Sequence, residues 1–202
     1  MAAPSRYEVS DEGAGIDKHG VLINNLGIKD QKELDDAETL LLKDSYTYFF
    51  ELLSKKKVVF DLPFLFEIHK YFLGILYPLA GKVRGVDISK SSTLFAPVSY
   101  IAASIKGLER LIQSHLPNKI DSKKRISEKI AIIHNEFNAV HPFREGNGRT
   151  IRLFLDLMVA DLNLHPVDWN VKGYMLACKK GLSQDHTKMI NLIYRDISKK
   201  VS

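Results

Sequence analysis

The residues with the greatest capacity for chemistry stand in one stretch, His141-Pro142-Phe143-Arg144-Glu145-Gly146-Asn147-Gly148-Arg149-Thr150-Ile151-Arg152. Gly146 and Gly148 let the backbone adopt positive φ and turn successive N–H groups toward one point. The loop runs into an apolar helical pattern, and a helix start attracts anions through its unpaired N–H groups and its dipole. Arg149 and Arg152, three apart in the first turn, are expected to share a face there and to grip phosphate oxygens in bidentate fashion. Glu145 is out of place beside those cations unless a divalent ion, Mg²⁺, stands between it and the phosphates. His141 is the nearby side chain that can take a proton near neutral pH. The set reads as nucleotide, metal and base, hence phosphoryl or nucleotidyl transfer.

Taken singly, each residue has a plainer reading. A Gly-x-Gly loop is commonly only a turn. Arg152 can pair with Asp156 at i,i+4, and Glu145 can serve a helix dipole. A lone histidine is more often a surface or core-edge residue than a base. Their joint occurrence within twelve residues is what favours chemistry.

Elements on either side must hold this loop in place. Before it, Ile126, Ile130, Ile133, Phe137 and Val140 recur at helical steps. After it, residues 149–162 are apolar nearly all round and read as the central buried helix. Ile101, Ile105, Leu108 and Ile112 form another stripe, ended by Pro117-Asn118. Upstream, Asp30 is placed to cap a helix running through Leu34–Leu53 to Lys55-Lys56-Lys57. Pro63 suits the first turn of a second helix over 63–77, with Phe64, Ile68, Tyr71 or Phe72, and Ile75 facing inward. Pro166 opens a segment through Cys178, and a basic amphipathic helix closes the chain. Between Ala80 and Pro97 the period changes: Val86 and Ile88 alternate with polar neighbours, and Leu94-Phe95 follow a Lys90-Ser91-Ser92 turn. This predicts one small hairpin in an otherwise all-α chain.

Bulk properties narrow the class. With 202 residues, 45% of them hydrophobic and 26% charged, one globular domain is expected. The single cysteine, Cys178, excludes a disulfide framework and a cysteine-based zinc site. No apolar run approaches the ~18 residues of a membrane span. The N-terminus lacks a basic-then-apolar signal pattern, so the chain reads as cytoplasmic unless another system delivers it elsewhere. Its net charge of +5 permits a polyanionic partner. Residues 1–19 read as a flexible leader and 20–202 as the domain. His134 reads as a core-border residue and Cys178 as a small buried hydrophobe.

The stretch resembles the signature of the Fic family, His-x-Phe-x-(Asp/Glu)-Gly-Asn-Gly-Arg-x-x-Arg, with all eight specified positions present at His141, Phe143, Glu145, Gly146, Asn147, Gly148, Arg149 and Arg152. The similarity extends to His69-Lys70-Tyr71-Phe72, to Tyr77 through Arg84, to Val86-Asp87-Ile88-Ser89-Lys90 and to Val21 through Ile28, covering about residues 20–198. It implies an all-α Fic-type domain with an inserted hairpin flap (about 82–97) over the motif loop 141–152. It also implies a protein nucleotidyltransferase that moves AMP from ATP to a Tyr, Thr or Ser hydroxyl. His141 would be the base, Glu145 the Mg²⁺ ligand and Asn147 the α-phosphate contact. Gly146 and Gly148 would offer backbone groups to phosphates, Arg149 and Arg152 would hold the β- and γ-phosphates, and Phe143 would anchor the loop in the core. The flap edge would pair with an extended target segment, with Ile88 and Lys90 touching its side chains; the alternative for Ile88 is to pack on the core beneath.

Many Fic proteins carry an internal (Ser/Thr)-x-x-x-Glu-(Gly/Asn) motif whose glutamate restrains the second motif arginine. Glu-Gly occurs here at Glu12-Gly13 and Glu145-Gly146, preceded at the required spacing by Glu8 and His141. The resemblance is therefore to members restrained by a separate antitoxin-like protein that supplies a glutamate to Arg152, or to unrestrained members. Two rival functions stand beside AMP transfer. One is transfer of phosphate, or phosphocholine, on the same fold; the intact Gly146-Asn147-Gly148-Arg149 disfavours the kinase-like branch. The other is a non-catalytic basic interaction module. In residues 179–202 six cations face two anions, but Tyr194 alone interleaves them, so nucleic acid is an unfavoured partner.

Overall fold

A computed structural model describes residues 8–9, 15–17, 20–90 and 93–200. Most of the expected leader, and Ser91-Ser92 of the expected turn, lie outside the described residues. The elements follow the order β1 (Glu8–Val9), α1 (Gln31–Ser54), α2 (Leu62–Leu73), β2 (Ile88–Lys90), β3 (Thr93–Leu94), α3 (Ile101–Ser114), α4 (Lys123–Val140), α5 (Asn147–Asp161), α6 (Tyr174–Leu182) and α7 (Thr187–Ile197). The fold is mainly helical with a small antiparallel flap, as the residue pattern predicts.

Local chemistry explains the boundaries. Asp30 and Asp61 cap α1 and α2, their side chains accepting the N–H groups of Glu33 and Phe64 at 2.9 and 2.8 Å. Ser122 caps α4 in the same way at 3.2 Å. Helix α2 stops at Leu73 rather than 77, because Gly74 and the turn into Tyr77-Pro78 end it. Its inward face is Phe64, Ile68 and Phe72, the second of the two alternatives at that step, and beyond its end Leu76 turns inward in place of Ile75. Phe72 and Leu76 are buried, whereas Tyr71 and Ile75 are exposed. The segment expected from Pro166 to Cys178 is non-helical until Gly173, whose φ of +101° starts α6 late.

Helix α5 is the central element, with Ile151, Leu153, Phe154, Leu155 and Leu157 fully buried. The α4 stripe, Ile126 through Val140, packs with it in the main core. A smaller core joins Val21 to Leu34, Phe72, Leu73, Leu76, Tyr77 and Ala80, binding the N-terminal arm to α1 and α2.

The flap departs from expectation in one respect. The hairpin β2–β3 is present, with Ser89 opposite Leu94 and Lys90 opposite Thr93. But β2 is the middle strand of three: β1 pairs antiparallel with it, Glu8 opposite Ser89 and Val9 opposite Ile88. A two-residue strand from a distant part of the chain has no sequence signature of its own.

Candidate active site

His141 is the C-cap of α4, with a φ of +49° that turns the chain out of the helix. Its ring stacks on Phe95, the residue after β3, at 3.7 Å between centroids. Nδ1 lies 3.1 Å from the Asn138 carbonyl, which can only accept, so Nδ1 carries the proton. Nε2 is then the proton-accepting nitrogen. Burial of the imidazole lowers its pKa to about 3, and the Arg84 and Lys90 charges push in the same direction. A neutral ring at physiological pH is what a general base requires.

His141 and Arg152 face one cavity of about 290 Å³, bordered also by Lys90, Asn138, Gly148 and Tyr174. Met175, Cys178 and Leu182 give it an apolar wall. Gly148 is helical, not left-handed as expected. A Cβ there would stand in ordinary contact, 3.5 Å from Arg152 Nη1. Gly146 does need its missing side chain. Its φ is +77°, and a Cβ would come within 2.6 Å of Leu73 Cδ1.

The two motif arginines do not converge. The Arg152 guanidinium lies 5.7 Å from the centre of the Tyr174 ring and borders the cavity. Arg149 turns the other way, donating to Glu38 at 2.6 Å and to Glu145 at 3.3 Å, with Phe72 beneath it at 5.1 Å. One residue of helical rotation is about 100°, so a three-residue step leaves side chains that can still reach different partners. Asp156, the plainer partner considered for Arg152, instead accepts from Tyr46 and Trp169, each at 2.7 Å.

Glu145 sits on the Arg149 side. Its Oε1 accepts the Gly146 N–H at 2.9 Å. Asn147, expected at the α-phosphate, is fully buried and braces the loop. Its Oδ1 accepts the Phe143 N–H at 2.9 Å and its Nδ2 donates to the Phe143 carbonyl at 2.7 Å. Phe143 is buried between His69, stacked at 3.7 Å, and Phe66. Ile88 is only 3% exposed, so its side chain packs inward rather than outward to a target, while the exposed Lys90 borders the cavity.

Four residues take positioning roles that the sequence alone does not assign to them. Buried Arg84 donates from Nε to the His141 carbonyl at 2.8 Å, and further to the carbonyls of Val86, Val140 and Ala96. It ties the flap base to the end of α4. His69 bridges two backbone segments: its Nδ1 accepts the Gly81 N–H at 2.8 Å, and its Nε2 donates to the Glu145 carbonyl at 2.9 Å. Burial lowers its pKa to about 4. Glu38, buried in α1, holds both Arg149 and the Tyr77 hydroxyl. His134, fully buried rather than bordering the core, accepts from the Tyr174 hydroxyl at 2.9 Å and so steadies the ring beneath Arg152. The one available signal was position: Arg84 and His69 lie in segments already matched to the flap and its preceding helix.

No group of three or more His, Cys, Asp or Glu side chains that could hold a metal ion occurs among the described residues. A single carboxylate, Glu145, suits Mg²⁺ only when phosphate oxygens and water complete the shell, as Mg²⁺ prefers. That carboxylate lies on the Arg149 side of the loop and does not border the cavity of His141 and Arg152. No helix among the described residues is long and apolar enough to cross a membrane.

The Fic/DOC family profile matches residues 59–159. The protein adenylyltransferase VbhT of Bartonella schoenbuchensis is 36% identical over 171 residues, covering 82% of this chain but 34% of that protein. The probable protein adenylyltransferase y4lH of Sinorhizobium fredii is 32% identical, with 76% of this chain and 78% of that one covered. Among solved structures, the BepC protein of Bartonella tribocorum with bound AMPPNP superposes with a TM-score of 0.72 over 90% of this chain and 95% of that one. At 22% identity, that likeness concerns the fold.

Proposed function

Because this chain belongs to the Fic/DOC family, we propose that it is a protein adenylyltransferase, moving AMP from ATP to a Tyr, Thr or Ser hydroxyl of a target protein and releasing pyrophosphate. The observation that carries this reading is His141: a neutral imidazole, its Nδ1–H tied to Asn138, on the wall of the cavity that Arg152 also borders. The target hydroxyl gives its proton to His141 Nε2 as its oxygen bonds to the α-phosphorus, and the bond from that phosphorus to the pyrophosphate oxygen breaks. Such a transfer depends on positioning and charge stabilisation more than on covalent catalysis by the protein.

ATP is the co-substrate in this reading. Arg152 and the start of α5, with Gly146 and Gly148, hold its phosphates, and the wall of Met175, Cys178 and Leu182 takes the base. Arg149 contributes by keeping Glu145 in place rather than by reaching the cavity. Asn147 and Phe143 keep the loop in shape. Glu145, which packs on the Arg149 side of the loop, would hold Mg²⁺ with its carboxylate turned toward the phosphates, and the ion would supply neutralisation of the departing pyrophosphate. The target docks on the flap, β2 offering main-chain groups and Lys90 its side chain. A separate antitoxin-like protein would restrain the enzyme by bringing a glutamate to Arg152. An ATP-dependent reaction suits the cytoplasm, where that nucleotide is supplied.

Labelled ATP tests the reaction. With label on the α-phosphate, protein in a lysate should become labelled, and His141→Ala should abolish this while ATP still binds. Label transferred from the γ-phosphate would mean a kinase, and no transfer from either would leave a binding module. Labelling that survives His141→Ala would remove His141 as the base.

A further inference from the structure

A β-strand has two hydrogen-bonding edges, each able to take one neighbour. Both edges of β2 are taken. On one side β3 pairs through Ser89 and Lys90. On the other, β1 pairs through Glu8 opposite Ser89 and Val9 opposite Ile88. The ladder through which an extended target segment would be registered above His141 is thus filled by the same chain. We propose that β1 is a built-in occupant of the target-docking edge, a tethered strand that an incoming target segment must displace. This rests on the target docking at β2 proposed above.

The anchoring of the arm supports such a role. Val21 is buried against Leu34 and Leu76, the Asn25 N–H bonds the Leu76 carbonyl at 2.8 Å, and Ile16 bridges to Leu22. This fixes residues 15–17 and the chain from Gly20 onward to the body of the domain. Only residues 10–14 separate that anchor from Val9. A tether so short keeps β1 at high effective concentration beside β2, so a weak pairing suffices to occupy the edge. The pairing is also short enough to yield. It engages Ile88 and Ser89, whereas a longer target strand could also pair along Lys90, the flap residue that borders the cavity of His141.

The full chain carrying Glu8→Pro and Val9→Pro tests this, because proline removes whichever N–H faces β2. Hydrogen exchange at the amides of Ile88, Ser89 and Lys90 is compared with that of the unaltered chain. A fluorescent peptide of residues 1–14 is then titrated onto both, without nucleotide. The expected result is at least tenfold faster exchange at a β2 amide in the double variant, saturable peptide binding by that variant alone, and slowed exchange when the peptide is bound. A peptide carrying the same two prolines should bind neither chain. Exchange within twofold of the unaltered chain, or equal peptide binding by both chains, would overturn the proposal; the latter would place strand addition on the outer edge of β3. Should the double variant lose helical content, either single proline variant serves for the same comparison. Neither readout uses ATP. An inactive chain with the expected exchange would remove only the AMP-transfer reading, and an active one with unchanged exchange would remove only the occupant.

Discussion

The twelve-residue motif divides its labour between two sides of one loop. His141, Gly148 and Arg152 face the cavity, while Glu145 and Arg149 face α1 and Asn147 and Phe143 face the core. Substitutions at the two arginines should therefore fail differently. Arg152→Ala removes a cation from the cavity wall, and its main effect should be a loss of ATP affinity of roughly tenfold or more, the scale of one charge-assisted contact, with little change in melting temperature. Glu38→Ala leaves the largely buried Arg149 with Glu145 as its remaining carboxylate partner and also removes the acceptor of the Tyr77 hydroxyl. Breaking a buried pair on one side costs about 3 kcal/mol or more, so denaturant unfolding of Glu38→Ala should show a clear drop in midpoint. Replacing both Glu38 and Arg149 by apolar residues should recover part of that loss. Equal destabilisation by Arg152→Ala and Glu38→Ala would contradict the division.

Among the elements, the buried Arg84 side chain ties the flap to the end of α4, beside the Phe95–His141 stack and the bond of the Ala96 N–H to the Ala139 carbonyl. Arg84 serves four carbonyls from two segments, and its backbone N–H bonds the Pro142 carbonyl at 2.9 Å. Asp87 Oδ1, 3.9 Å from Arg84 Nη1, accepts the Val98 N–H at 2.6 Å and closes the base of the flap. Arg84→Met keeps the stem but leaves buried carbonyls without donors, at a cost of about 1–3 kcal/mol for each one that water does not reach. AMP transfer should fall at least tenfold through the loss of His141 and flap alignment. ATP affinity, set mainly at the start of α5, should change less. Steady-state kinetics separate these, with kcat falling and the KM for ATP held within a few-fold. A change confined to KM would show that Arg84 does not act through His141.

For the molecule as a whole, three interior histidines make stability depend on pH. Burial lowers the pKa of His141 to about 3 and those of His69 and His134 to about 4, from an ordinary value near 6.5. Below pH 6.5 the unfolded chain binds protons that the folded chain refuses, so ΔG of unfolding falls as pH drops through the window from 6.5 to about 4. Each histidine contributes up to about 1.4 kcal/mol per pH unit there. Asp156 opposes them: burial raises its pKa to about 6, so the folded chain takes its proton first and gains stability as pH falls from 6 toward 4. The histidines outnumber it, and urea midpoints should decline from pH 7 to pH 5. His69→Gln, which cannot titrate, should flatten that decline. A flat profile in the unaltered chain would mean that these rings are protonated in the fold.

Much of this architecture is legible in the sequence. Burial follows periodicity, so the α4 stripe from Ile126 to Val140 and the all-round apolar α5 could be placed from spacing alone, and capping by Asp30 follows from local hydrogen bonding. The location of the motif loop was legible for the same reason, because its residues are contiguous and the helices beside it are regular. What each motif side chain faces was not. That Arg149 meets Glu38, that Asn147 turns inward, that Arg84 bonds the His141 carbonyl and that β1 lies along β2 all depend on partners far away in sequence. Spacing specifies which residues share a face of one element. Only the packing of elements against one another decides what that face meets, because those contacts are paid for by tertiary burial rather than by local propensity.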